Sequence, residues 1–197
     1  VIPRYSLPEI ADLFTDEARF GAWLEVEVLA VEAWARLGVI PAEHARLVRE
    51  RAGFDVAAVH EREKVTDHDV AAFVDVVQER VGPPAGGWVH YGLTSSDVVD
   101  TALSLQVTRA LDRIVEAAVA LDAAITRRAH EFRDTPMVGR THGIHAEPTT
   151  FGTKLALWAL AVRREVDRLR RAREVIAVGK LSGAVGTYSN VDPFVEE

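Results

Sequence analysis

Apolar residues recur at steps of three and four along most of the chain, the spacing of one face of an α-helix. Phe20, Leu24, Val28, Val31 and Ala35 follow Thr15, whose hydroxyl can cap a helix that carries Asp16 and Glu17 in its first turn. Gly38 suits the end of that helix, and Pro41 the start of a shorter one running to about Ala52. Another is expected after Asp55. Thr66-Asp-His-Asp69 reads as a helix start, with Thr66 as the cap and Asp69 as its capping-box partner. Val70, Phe73, Val77 and Val81 would form the buried stripe of that helix. Gly82-Pro-Pro-Ala-Gly-Gly87 breaks the periodicity and marks a loop.

Two much longer patterns follow. Thr94, Ser95 and Ser96 are all cap-forming types, and Leu103, Val107, Ala110, Ile114, Ala118, Leu121 and Ile125 mark one face after them. Neither glycine nor proline interrupts this pattern before Pro136. It predicts a helix longer than about 45 Å, which suits a bundle. The second starts near Thr150, shows Leu155, Trp158, Val162, Val166, Leu169, Ala172 and Ile176, and stops at Gly179. Trp23, Trp34 and Trp158 stand at core spacing. No strand alternation emerges, so the expected class is all-α. Residues 1–93 form a small helical N-terminal domain in this reading, and residues 94–197 the first long helices of an incomplete bundle. Two long helices cannot cover both of their own stripes, so further helices must come from elsewhere in the protein or from other copies. The small residues of Lys180-Leu-Ser-Gly-Ala-Val-Gly-Thr-Tyr-Ser189 predict a flexible tail, and Asp192-Pro193 the start of another helix.

Composition narrows the partners. A 48% hydrophobic fraction supports a real core, yet no apolar run reaches the roughly 18 residues of a membrane span. The net charge of −7 comes without a basic domain-scale patch, so no nucleic-acid partner is expected. Cysteine is absent, which removes disulfides and thiolate metal sites. With no secretory leader in view, the expected compartment is the cytoplasm.

The candidate chemistry gathers at three predicted helix starts. The first holds His68 and Asp69, the second His90 ahead of Thr94, Ser95 and Ser96, and the third His142 and His145 ahead of Thr149 and Thr150. Free amides at a helix N-terminus attract anions, hydroxyls add donors, and a histidine can pass a proton to a leaving group. Three such starts brought together would bind an anion with several negative groups beside a proton donor. Each feature also has a plainer reading: Thr-Ser-Ser-Asp as a cap alone, and His68 as an ordinary surface or core histidine. A metal at His142 and His145 would need further ligands, and no cysteine is present to supply them, so no metal is expected. His44, His60 and His130 sit in charged helical surroundings and read as solvated, and the arginines from Arg163 to Arg173 as an outer helix surface.

His90-Tyr-Gly-Leu-Thr-Ser-Ser-Asp-Val-Val-Asp-Thr-Ala102 and Gly139-Arg-Thr-His-Gly-Ile-His-Ala-Glu-Pro-Thr-Thr-Phe-Gly152 resemble two shared regions of the fumarase/aspartase superfamily. Within it their wording is similar to the adenylosuccinate lyase family. Arg4-Tyr-Ser6, His68-Asp-Val70 and Lys180-Leu-Ser-Gly-Ala-Val-Gly186 resemble that family in the same order. The resemblance implies a homotetramer around a bundle of long helices, each active site drawing on three subunits. It implies β-elimination of fumarate from the anionic succinyl-purine nucleotide adenylosuccinate, giving AMP, and from the succinyl form of aminoimidazole carboxamide ribotide, without a cofactor. By the same resemblance His142 is the general acid, Thr94 and Ser95 hold the succinyl carboxylate, and His68 and Asp69 line the phosphate side. Arg4 and Tyr5 then belong to the nucleotide site, and His90 lines the pocket. Asp67 departs from the family, where a basic residue is common. The family's general-base serine lies in a Ser-Ser-x-Met-Pro-x-Lys loop that this chain does not contain, so the expectation is an N-terminal part, inactive by itself. A sister lyase acting on another succinyl-type substrate and a non-catalytic helical assembly module are the alternatives.

Overall fold

α2 (Asp16–Arg36) is the helix around which the first part of the protein packs. In the computed structural model, which describes residues 2–197, it follows α1 (Pro8–Ala11) and precedes α3 (Ala42–Arg51), α4 (Val56–Thr66) and α5 (Asp69–Val81). The long α6 (Ser95–Glu131) comes next, then the strands β1 (Pro136–Thr141) and β2 (Ile144–Thr150), and α7 (Phe151–Ile176). Contacts divide the chain into two compact units, Val1–Val107 with Ala177–Glu197, and Thr108–Ile176. The division falls inside α6, so it does not coincide with the sequence boundary between 93 and 94. The fold is predominantly helical, as expected.

In the first unit the Thr15 hydroxyl caps α2 by accepting the Ala18 amide at 3.2 Å. Phe20, Trp23, Val26, Val28, Ala30, Val31 and Trp34 are all buried, more of the helix circumference than one amphipathic stripe. Phe20 meets Trp23 and Phe73 with ring centroids 5.2 and 5.7 Å apart. The expected stripe of α5, Val70, Phe73, Val77 and Val81, is buried throughout. Burying each such side chain is worth about 1.5–3 kcal/mol, so these positions dominate the stability of the unit. Arg62 on α4 ties this helix to α5 through Asp75, at 3.1 Å, and Glu79.

Thr66 does not cap α5. It is the last residue of α4, and Asp67 follows in the left-handed region at φ 48°. His68 takes the cap position, its Nδ1 accepting the Ala71 amide at 3.4 Å. The 180–189 segment is also not a loose tail. Leu181, Ser182 and Gly183 are buried against the start of α6. There the fully buried Asp97 accepts the amides of Thr94, Ser182 and Gly183 at 3.0, 3.2 and 3.1 Å and pairs with Lys180 at 2.7 Å. Gly183 is favoured there by its positive φ of 81°, a backbone shape that L side chains rarely adopt, and its amide reaches the carboxylate. The chain then ends in a 3₁₀ turn, Pro193–Val195, capped by Asp192 and packed through Val191 and Val195.

The second unit holds the later part of α6, the hairpin and α7. Leu155, Ala159 and Val166 of α7 are buried, but Trp158 is 48% exposed, with the Lys154 ammonium 5.2 Å from its ring centre, so it is not a core tryptophan here. Arg163 grips Asp122 at 2.9 Å, and Arg173 grips Asp112 at 2.5 Å. These two arginines therefore join α6 to α7 instead of facing water alone. At Gly152 a Cβ would come within 2.6 Å of the Ala129 carbonyl and the Arg133 amide nitrogen, so only glycine allows α7 to start this close to α6. Among the described residues no helix is long and apolar enough to cross a membrane.

Burial pushes the Asp97 carboxyl up, but the Lys180 ammonium and the amides of Thr94 and Ser182 outweigh it and hold its pKa below the ordinary value. A depressed carboxyl stabilises the fold fully above its unfolded pKa of about 3.9 and loses that contribution as pH falls through the folded value. Asp97→Asn is expected to cost roughly 1.5–3 kcal/mol at neutral pH, the worth of charge-assisted bonds. Urea melts followed by circular dichroism should show that gap narrowing below about pH 4.

Candidate functional site

The sequence shows no strand alternation between the two long helices; the structure has a β-hairpin there. β1 pairs antiparallel with β2, Thr141 opposite Ile144, Arg140 opposite His145 and Pro136 opposite Thr150, with an irregularity at Gly139. His142 and Gly143 form the two-residue turn, both with positive φ, 50° and 76°. Positive φ at both central residues matches the right-handed twist of the flanking strands. His142 is therefore presented at the hairpin tip, exposed, with Arg140, Thr141, His145 and Glu147 exposed around it. Among the described residues no group of three or more His, Cys, Asp or Glu is placed to hold a metal ion.

The other candidates lie in the first unit, and four of them converge. His68, His90, Thr94 and Ser95 line one open cavity of about 390 Å³, together with Asp75 and Gln78. Ser95 is the first residue of α6, so the cavity meets the amide-rich end of a 37-residue helix. Asp69 is not part of the cavity lining, though it lies between the lining residues His68 and Val70; its carboxylate accepts the Val70 amide at 2.8 Å and lies 3.5 Å from His68 Nδ1. Because His68 Nδ1 accepts the Ala71 amide, the neutral ring carries its proton on Nε2 and can donate to an anion. Arg4 and Tyr5 stand apart from the cavity lining; both are exposed, and the Arg4 guanidinium donates to the Tyr5 hydroxyl at 2.9 Å.

The backbone beneath His90 is held at each residue. Val89 O accepts from Gln78 at 3.0 Å, the His90 amide donates to Glu27 at 2.8 Å, and Tyr91 O accepts from Trp34 Nε1 at 3.1 Å. His90 itself has φ 69°, and Gly92 follows at φ 79°, where a Cβ would meet the Asn190 carbonyl at 2.5 Å. Glu27 and Asp97 are the two residues that sequence reasoning passed over. The signal for Glu27 was present: it lies four residues from both Trp23 and Val31, a carboxylate on an apolar stripe. His44 is also not free, since its Nδ1 accepts from Trp88 Nε1 at 2.9 Å.

A family profile described as Lyase matches residues 4–197. The chain belongs to this lyase family. It is 54% identical over its whole length to the adenylosuccinate lyase of Bacillus subtilis (strain 168), of which it covers 46%. It is 49% identical to the adenylosuccinate lyase of Staphylococcus saprophyticus, of which it covers 45%. The chain thus spans about half the length of the curated relatives it matches. Among solved structures, a fumarate lyase from Mesorhizobium sp. BNC1 superposes with a TM-score of 0.89 at 30% identity, covering 95% of this chain and 45% of that one. A 3-carboxy-cis,cis-muconate lactonizing enzyme from Pseudomonas putida gives 0.87 at 30% identity, covering 94% and 44%.

If the start of α6 binds carboxylate, Thr94→Ala with Ser95→Ala should weaken succinate or fumarate binding at least tenfold by calorimetry. Loss of capping alone would cost about 1 kcal/mol of stability and leave the affinity of the folded protein unchanged.

Proposed function

We propose that this chain forms part of an adenylosuccinate lyase, a carbon–nitrogen lyase that eliminates fumarate from adenylosuccinate and from the succinyl form of aminoimidazole carboxamide ribotide. The observation that carries the reading is the convergence of His68, His90, Thr94 and Ser95 on one cavity at the start of α6. Two relatives bearing that name, at 54% and 49% identity, support the choice of substrate. The dianionic succinyl group suits the helix terminus and its hydroxyls. A phosphate suits the donor face of His68, with Asp69 holding the start of α5 beside it.

In this reading His142 is the general acid that protonates the departing nitrogen, and Arg4 and Tyr5 contact the nucleotide. Residues 94–197 contribute long helices to a bundle shared in a homotetramer, so that one active site draws residues from several subunits. The proposed compartment is the cytoplasm, in keeping with a chain that has no cysteine. No cofactor is invoked: proton transfer and anion binding are tasks for side chains.

Fumarate release by the full-length protein tests the activity directly. His142→Ala in that protein is expected to lower kcat by about 10²–10⁴-fold, the usual worth of general acid catalysis. Normal turnover of both substrates by the variant would remove His142 from the acid role.

The exposed Leu157, Trp158 and Leu160 on α7 and Ile114 and Leu121 on α6 supply the surface for the proposed association. Each such residue gains about 1.5–3 kcal/mol on burial. A protein of these 197 residues is therefore expected to scatter light as an oligomer at micromolar concentration and to release fumarate only at background. A stable monomer would contradict the packing argument, and robust turnover would show that the catalytic base lies within these residues.

A further inference from the structure

We infer that Glu27 is the positioning residue for His90. It fixes the ring in the Nδ1–H tautomer and directs an unprotonated Nε2 into the cavity, as an acceptor for an N–H or O–H group of the ligand. This deepens the proposed lyase reading, since it assigns a role to one side chain of that same cavity, and it rests on that reading for its kinetic consequence.

The geometry is specific. Glu27 is 1% exposed and sits among apolar side chains of α2, where a carboxylate is costly unless its oxygens are satisfied. Both oxygens serve one residue: Oε2 accepts the His90 amide at 2.8 Å, and Oε1 lies 2.6 Å from His90 Nδ1. An ionised carboxylate only accepts, so the proton of the second contact belongs to Nδ1, and the neutral ring keeps its lone pair on Nε2. The backbone is held to match. His90 keeps a left-handed φ of 69°, uncommon for a residue with a side chain, while Gln78 and Trp34 bind the carbonyls on either side of it. His68, across the same cavity, has the opposite arrangement: its Nδ1 accepts, so its Nε2 donates. The two histidines thus offer one donor and one acceptor to the same ligand.

Glutamine at position 27 keeps the shape but cannot accept both donors. If its oxygen takes the His90 amide, its NH₂ faces Nδ1 and forces the other tautomer. The test uses ring-¹⁵N histidine in the full-length protein, read by magic-angle-spinning NMR at about pH 8. His90 is assigned by difference against His90→Gln. The expected result is an Nδ1–H, unprotonated-Nε2 ring in the wild type, and loss of that signature in Glu27→Gln. With it, kcat should fall about 10–100-fold, the usual cost of losing a group that orients a histidine, with a smaller change in KM. An Nε2–H or doubly protonated His90 in the wild type would overturn the inference, and so would a folded Glu27→Gln variant with unchanged tautomer and kcat. If Glu27→Gln does not fold, the wild-type tautomer alone decides. A wild-type protein that shows the tautomer but releases no fumarate would refute the lyase reading and leave the Glu27–His90 assignment standing.

Discussion

The first unit depends on a carboxylate that water cannot reach. Asp97 is fully buried in the first turn of α6, where it accepts three backbone amides and pairs with an ammonium. A charge in that position is tolerable only because every bond is made, so the residues it binds have no alternative placement at comparable energy. One of them is Thr94, immediately before the helix; the others belong to the 180–183 segment, which returns from far along the sequence. The start of α6 is therefore held both by its own chain and by a distant one. That rigidity is what the proposed carboxylate site at this helix terminus would need.

Glu27 repeats the device on the other side of the cavity. It too is buried, but it uses both oxygens on a single residue, His90. The two carboxylates leave His90 and Thr94 fixed at the cavity wall although both lie outside regular helix. The apolar side chains around α2 supply the free energy that keeps the two acids buried. Stability and cavity geometry therefore share one origin: removing the core loosens the acids, and loosening the acids releases the polar groups that line the cavity.

Much of the helical framework was legible because burial follows a period of three to four residues. The stripe of α5 and the cap at Thr15 are direct consequences of residue type. The hairpin escaped notice because none of its strand residues is fully buried and the half-buried positions of β1, Met137 and Gly139, do not alternate with polar residue types. Its turn also uses His142 before glycine, where asparagine or aspartate would have been the recognisable signal. Thr66 looked like a cap by type, but the left-handed Asp67 moved that task to His68. The 180–189 segment looked flexible because its residues are small. Its glycine at 183 instead serves a positive-φ backbone whose amide reaches Asp97, a long-range contact that local patterns do not carry. For the cavity, the motifs named four of the lining residues, His68, His90, Thr94 and Ser95, but the buried acids behind them required the third dimension.

The central claim is that the cavity at the start of α6, walled by side chains fixed through two buried acids, receives the dianionic end of the substrate. A crystal structure of the full-length protein with the succinyl nucleotide trapped in a His142→Ala variant tests it most directly. The account predicts succinyl carboxylate oxygens within hydrogen-bonding distance of Thr94 and Ser95, with His68 and His90 against the same ligand. A ligand seated elsewhere, with that cavity holding only solvent, would contradict it.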